Sequence, residues 1–214
     1  MSVLTPIDKA LSSLATTLDT VNDSELIPIS DCVGRILSED LVSAVNVPSL
    51  TNSAMDGFAI RTGDVQNAST KLKITQRIAA GEIGTKLGNA EAARIFTGAP
   101  IPGGSDAVVM QENCESNGEE IKILQSVRVG ENLRLAGEDI KSGITLLVAG
   151  HRLIPQDIGL AASIGVASLK VKRNLRVAVM TTGDELVSPG VKLKPGQVYN
   201  SNFYSLVALL QQLN

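Results

Sequence analysis

The chain has 214 residues, of which 43% are hydrophobic and 19% charged; this is a globular composition that excludes a disordered tail and leaves room for one ordinary domain or two small ones. Aromatic residues make up only 2%, with three Phe, two Tyr and no Trp, so cores must be aliphatic and stacking platforms for single-stranded nucleic acid are excluded. A net charge of -3 and a pI near 5.3 argue against a non-specific DNA or RNA binder, and no nucleic-acid partner is expected.

Cys32 and Cys114 stand far apart and match no zinc or redox spacing, which reads as two small apolar residues in a reducing compartment. With His151 the lone histidine, a histidine-based metal site or a Ser-His triad is not expected. The N-terminus lacks a basic stretch followed by an apolar run, since Asp8 interrupts it, so no signal peptide is implied. The longest apolar runs, Val177 to Met180 and Leu206 to Leu210, are far too short to span a bilayer. The expectation is a cytoplasmic protein without a membrane partner.

The elements begin with an amphipathic helix, for which Thr5 can act as N-cap and Pro6 occupies the first helical position. Ile7, Leu11, Leu14 and Leu18 share one face. ELIPISDCVGRIL reads as a short strand and then a helical turn that Ser30 or Asp31 could cap, and LVSAVNV reads as a strand. From residue 47 to 137 the period changes to two. GFAIR, KLKITQRIA, DAVVMQE, EIKIL and SVRV are short strands separated by Gly, Asn, Pro and Ser turns. This block is expected to be an inserted, β-rich module. ITLLVAG predicts a further strand, Pro155 to Ile164 a helix with a small-residue face, and ASLKVKR the strand that ends this region at residue 173.

A continuous apolar strand, 175–181, then runs into the acidic loop TTGDEL, and a helix over 202–213 follows. Asn200 or Ser201 caps that helix, with Leu206, Leu209, Leu210 and Leu213 as its buried stripe. Such a strand is the type buried on both faces of a parallel sheet. One strand and one helix cannot bury their own apolar surfaces, so residues 174–214 are expected to begin an open α/β domain without finishing it.

Four strings could carry chemistry. PSLTNSAMDGFAIRTGD (48–64) sets Thr51, Asn52, Ser53 and Asp56 beside Gly57, which allows close backbone approach. Asn52 or Ser53 is expected to cap a helical turn there, and a tight loop at the module's edge explains the string equally. RIFTGAPIPGGSDAVVMQE (94–112) places Thr97 at the mouth of a stiff Gly/Pro loop, with Asp106 and Glu112 flanking the next strand. It is no phosphate loop, because GxxxxGK[ST] is missing. TTGDEL (181–186) lies at the carboxyl end of the apolar strand, where open α/β sheets bind ligands. Its adjacent carboxylates, Asp184 and Glu185, suit a Mg²⁺-bridged phosphate or an N–H-rich ligand such as a pterin; acidic residues opposing a helix dipole are the other reading. GEDIKSG, with Glu138 and Asp139, is by itself an ordinary turn.

Taken in order, NSAMDGFA, RIFTGAPIP with DAVVMQE, RLAGEDI, and VMTTGDEL followed by GQVYNSN resemble the MoeA and gephyrin E-domain family of molybdopterin molybdenumtransferases. The likeness runs from the first helix to Leu213. It implies an α+β multidomain fold: a helical/β N-terminal and linker region over 1–173, carrying the all-β module 47–137. The start of an open, MogA-like, molybdopterin-binding α/β domain follows over 174–214.

The activity implied is insertion of molybdate into the dithiolene of adenylylated molybdopterin, with release of AMP and a need for Mg²⁺. The resemblance assigns Asp56, Thr97, Asp139 and Glu185 to catalysis. Asn52, Ser53, Gly98, Thr182, Gly183 and Asp184 would bind the pterin nucleotide, and Asp56 and Asp184 the metal. The partners implied are a second copy of the chain, with a cleft shared between subunits, and a MogA-type molybdopterin adenylyltransferase. Phe58 departs from the family in standing where a Tyr usually follows MDG. The family chain is about twice as long, and the anion-binding Lys and Arg residues expected for molybdate match nothing here. These 214 residues are therefore expected to be inactive alone, and a non-catalytic dimerisation or scaffold module is the alternative.

Overall fold

A computed structural model describes residues 5–213 as a mixed α/β structure with few helices. In chain order the first elements are α1 (Ile7–Thr17), β1 (Ser24–Pro28), β2 (Leu41–Val42), β3 (Asn52–Ser53), β4 (Gly57–Ile60) and β5 (Lys71–Ile78). There follow β6 (Glu91–Ile95), β7 (Ala107–Met110), β8 (Cys114–Ser116), β9 (Glu120–Ile123), β10 (Leu133–Arg134) and β11 (Thr145–Leu147). The chain ends with α2 (Pro155–Ser163), β12 (Ser168–Lys172), β13 (Leu186–Val187), β14 (Val198–Tyr199) and α3 (Ser201–Leu213). These fall into two compact units, one of residues 42–146 and one of residues 1–41 with 147–214.

The 42–146 unit is organised by a six-stranded sheet in the order β7-β4-β6-β5-β9-β8, antiparallel except for the parallel pair β5–β6. Alternation of side chains along the strands loads both faces. Phe58, Ile60, Ala92, Val109, Ile121 and Ile123 fill one side, and Ala59, Ile78, Ala93, Ile95 and Val108 the other. Most are fully buried aliphatics, each contributing about 1.5–3 kcal/mol for the larger side chains. A chain almost without aromatics builds its core in this way.

Three local readings change here. Asn52 and Ser53 cap no helical turn; they form β3, paired antiparallel with β10. SVRV is no strand, and its backbone passes through turns at 129–130 instead. Most of LVSAVNV leaves the extended ladder after Val42, and only Val47 returns, to bridge Ile140. The expected alternation was present in both segments, but neighbouring strands were not.

In the other unit, β1 and β12 form an antiparallel ribbon from Ser24↔Lys172 to Pro28↔Ser168. A 3-10 turn at Ile29–Asp31 follows β1, with no side-chain cap from Ser30 or Asp31. Asp157 anchors the start of α2: its Oδ2 accepts the Ile154 N–H at 2.9 Å and lies 2.7 Å from His151 Nε2. α1 forms where the period predicts, but Pro6 holds the N-cap position and Thr5 contributes no cap. Ile7, Leu11, Leu14 and Leu18 are all exposed, by 56–73%.

Residues 173–183 carry no ladder among the described residues, contrary to the expected strand 175–181. A parallel strand is held only by its neighbours, and none is supplied; Leu175, Val177 and Met180 are exposed. α3 is capped as expected, with Asn200 Oδ1 accepting the Phe203 N–H at 3.3 Å. Its partly buried side is Phe203, Val207 and Leu210, while Leu206, Leu209 and Leu213 face outward. The helical period was right and the buried face is rotated from the expected one.

Candidate functional site

In the 42–146 unit the NSAMDG and TGAPIP strings are bound to each other through the backbone. Ser53 N–H donates to Ala99 O at 2.9 Å, Gly98 N–H to Ser53 O at 2.8 Å, and Ile101 N–H to Thr51 O at 3.1 Å. Gly98 sits at φ +81°, a left-handed conformation that costs glycine nothing and lets the loop reverse after Thr97. Buried Ser53 donates its hydroxyl to Met55 O and accepts the Met55 N–H at 3.3 Å. That tight turn delivers Asp56 to the surface in front of Thr97.

Asp56 Oδ1 accepts two hydrogen bonds of 2.8 Å, from the backbone N–H and the hydroxyl of Thr97. The backbone bond first and the hydroxyl second hold the Asp56 carboxyl below its ordinary value, with the charge of Arg94 adding to them. The other carboxylate oxygen has no intramolecular partner among the described residues. Gly57 is obligatory behind it: a Cβ there would stand 1.9 Å from Val109 O. Asn52 Oδ1 is buried at the same corner with no hydrogen-bond partner among the described residues, a cost of about 1–3 kcal/mol.

The register of β3 against β10 sets Arg134 opposite Asn52. Arg134 pairs with Asp139 at 2.5 Å, both partly exposed; the hydrogen bond from Asp139 first, and then its charge, raise the Arg134 pKa. The GEDIKSG turn is fastened by Gly137 N–H to Pro48 O and Asp139 N–H to Val47 O, at 2.9 and 3.0 Å. Glu138 closes its own turn by accepting the Leu135 N–H. Asp106 is likewise structural, receiving the N–H and hydroxyl of Thr62. The β unit thus gathers Asn52, Ser53, Asp56, Thr97 and Gly98 into one bonded loop cluster and ties the Asp139 turn to the segment just before it.

In the other unit, β13 and β14 form a short parallel pair, with Val198 N–H donating to Glu185 O at 2.8 Å. Thr181, Thr182, Glu185, Asn200, Ser201 and Asn202 line a cleft of about 540 Å³ between the TTGDEL loop and the start of α3. Asn200 joins the walls by donating to the Thr181 hydroxyl at 2.7 Å. Hydroxyls, one carboxylate and a helix N-terminus make a site for phosphate or N–H donors. Gly183 and Asp184 do not line this cleft.

No group of three or more His, Cys, Asp or Glu able to hold a metal occurs among the described residues. Each unit offers isolated carboxylates, Asp56 in one and the Asp184–Glu185 pair in the other. Taken singly, either group fits Mg²⁺, which takes one or two carboxylates and fills its shell with phosphate and water. Neither fits an ion that needs an all-protein cage.

Sequence reasoning missed Arg94 and Arg134. Arg134 stands five residues before Asp139 in RLAGED, a spacing that pairs them only once the turn is known. Arg94 lies two residues before Phe96 on β6, and the alternation of that strand was its only signal.

The family model described as "MoeA N-terminal region (domain I and II)" matches residues 5–165. A protein named molybdopterin molybdenumtransferase from Haemophilus influenzae is 38% identical over 97% of this chain and 52% of its own length. One of the same name from Nostoc is 38% identical over 94% of this chain and 47% of its own. Two solved molybdopterin biosynthesis MoeA structures from Pyrococcus horikoshii superpose with TM-scores of 0.88 and 0.87, at 36% and 31% identity. They cover 99% and 98% of this chain and 55% and 57% of theirs. The chain spans about half the length of the curated relatives it matches. By its bonded NSAMDG–TGAPIP corner, its fold and these matches, the chain belongs to the MoeA N-terminal region family.

Proposed function

We propose that the chain works in molybdenum cofactor biosynthesis, contributing binding and catalytic groups for molybdopterin molybdenum transfer. The observation that carries this reading is the Asp56 carboxylate, fixed through one oxygen by Thr97 with the other left open. Relatives sharing these strings are named for that transfer. The substrates are adenylylated molybdopterin and molybdate, and the products the metallated pterin and AMP.

Molybdenum is held by the pterin's own soft thiolates, so the protein needs no cysteine cluster. Asp56, kept ionised by its Thr97 bonds, positions water or an inserted cation beside the substrate. Asp139 orients Arg134, whose fixed guanidinium is an anion ligand. Thr182 and Glu185 serve the pterin nucleotide in the cleft at α3, where the helix N-terminus favours phosphate. Mg²⁺ would supply neutralisation of phosphate charge; Asp56 in the 42–146 unit and Asp184 in the other are each a candidate ligand for it.

The finer architecture follows the same reading. Residues 1–173 form the N-terminal and linker region with the β module 47–137, and 174–214, with its short β13–β14 pair and α3, belongs to a molybdopterin-binding domain. With the apolar segment 175–180 unpaired and α3 keeping three leucines exposed, this chain alone binds substrate without turning it over. The exposed apolar face of α1 favours a homodimer, a MogA-type adenylyltransferase is the partner supplying substrate, and the compartment is the cytoplasm. No described helix is long and apolar enough to cross a membrane.

Equilibrium dialysis of adenylylated molybdopterin against the chain, with Mg²⁺ present, tests the reading. Saturable binding is expected. Its absence, together with a stable dimer in light scattering, would favour a scaffold module instead.

A further inference from the structure

Arg94 contacts four residues that adjoin the Asp56–Thr97 pair. Its Nη1 donates to Gly57 O at 3.0 Å, the residue immediately after Asp56. Its Nη2 donates to Gln111 Oε1 at 2.5 Å, and the Gln111 backbone N–H in turn donates to Asp56 O at 3.1 Å. The guanidinium also stacks over Phe58 and over Phe96, the residue before Thr97, at 5.1 and 4.8 Å from the ring centroids. Arg77 covers Phe96 as well, at 4.5 Å.

The register explains this convergence. On β6, Arg94 lies opposite Phe58 of β4 and beside Arg77 of β5, so one side chain reaches the ends of three strands. A planar fork makes bonds in two directions while its face packs on an aromatic ring, and an ammonium cannot do both.

We propose that Arg94 is a positioning residue that locks Asp56 and Thr97 into their doubly bonded geometry, acting through Gly57, Gln111 and the two Phe rings. It does so as a shaped clamp, and its charge alone is insufficient. This rests on the reading of Asp56 as part of the transfer site, but the positioning itself is measurable without any substrate.

The test is a ¹³C NMR titration of the Asp56 carboxyl together with amide exchange at Thr97, in the wild type, Arg94→Lys and Thr97→Val. Arg94→Lys keeps the charge. If Arg94 is a clamp, the Asp56 midpoint rises in Arg94→Lys by at least as much as in Thr97→Val, and the Thr97 amide exchanges about tenfold faster, the equivalent of one lost hydrogen bond. An unchanged midpoint and unchanged exchange in Arg94→Lys would overturn the proposal. Should that variant not fold, Gln111→Ala decides: it frees one arm of the guanidinium and is expected to move both readouts in the same direction, and no movement overturns the proposal. Failure of substrate to bind the wild type would sink the functional reading and leave this result standing.

Discussion

Thr97 donates both its backbone N–H and its hydroxyl to the same oxygen of Asp56, across 41 residues of chain. Two donors on one carboxylate oxygen favour the ionised form. Thr97→Val removes the hydroxyl and keeps the shape, so the Asp56 pKa should rise toward its ordinary value. A carboxyl NMR titration reads this directly. Because the folded-state pKa is lowered, whatever stability the pair contributes is present above the unfolded value of about 3.9 and lost as pH falls through the folded one.

Gly57 sits where β4 meets β7, and any Cβ would stand 1.9 Å from the Val109 carbonyl oxygen. Backbone cannot yield as a flexible side chain can. Gly57→Ala should destabilise the 42–146 unit by about 3 kcal/mol or more, seen as a lower urea midpoint with unchanged slope.

Asp157 ties His151 and the Ile154 N–H to the first turn of α2. Burial pushes its carboxyl up, but the Ile154 bond and the His151 interactions outweigh this and leave it lowered. Asp157→Ala should cost about 1–2 kcal/mol near neutral pH. The difference from wild type should shrink as pH falls below about 4 and Asp157 itself becomes protonated. Urea unfolding across that range checks both statements.

Burial pushes the Cys114 thiol up to about 11, and it pushes Cys32 up as well. Neither is a ready thiolate at neutral pH. A thiol-specific reagent should label both within minutes in denaturant and neither on that timescale in the folded chain.

α1 leaves Leu11 and Leu14 exposed by 57% and 56%. If this face is the homodimer contact, the double substitution Leu11→Glu, Leu14→Glu should give a monomer in light scattering while α2 and the β sheet keep their amide protection.

Periodicity made much of this fold legible. GFAIR, KLKITQRIA and DAVVMQE alternate, and they form β4, β5 and β7 of the six-stranded sheet. α1 and α3 follow from spacing alone, and Asn200 caps α3 as its chemistry suggests. What periodicity does not carry is partnership. Residues 175–181 have the composition of a central strand but pair with no strand among the described residues, and Leu206, Leu209 and Leu213 of α3 are exposed. Asn52 and Ser53 looked like capping residues because their side chains favour that role; their pairing with Leu133 and Arg134, some eighty residues away, is invisible locally. The bond between Asp56 and Thr97 is of the same kind. Local spacing marks each residue, but it is the β4–β6 pairing, with Gly57 opposite Ile95, and the backbone bonds of Ser53 to Gly98 and Ala99 that bring them together.

Comparing adenylylated molybdopterin isotherms for the wild type, Asp56→Asn and Glu185→Gln tests the functional reading most directly. Wild-type binding should be saturable and Mg²⁺-dependent, and each substitution should weaken it about tenfold, the loss of one charge-assisted contact. Binding that is absent in the wild type, or equal in all three proteins, would contradict it.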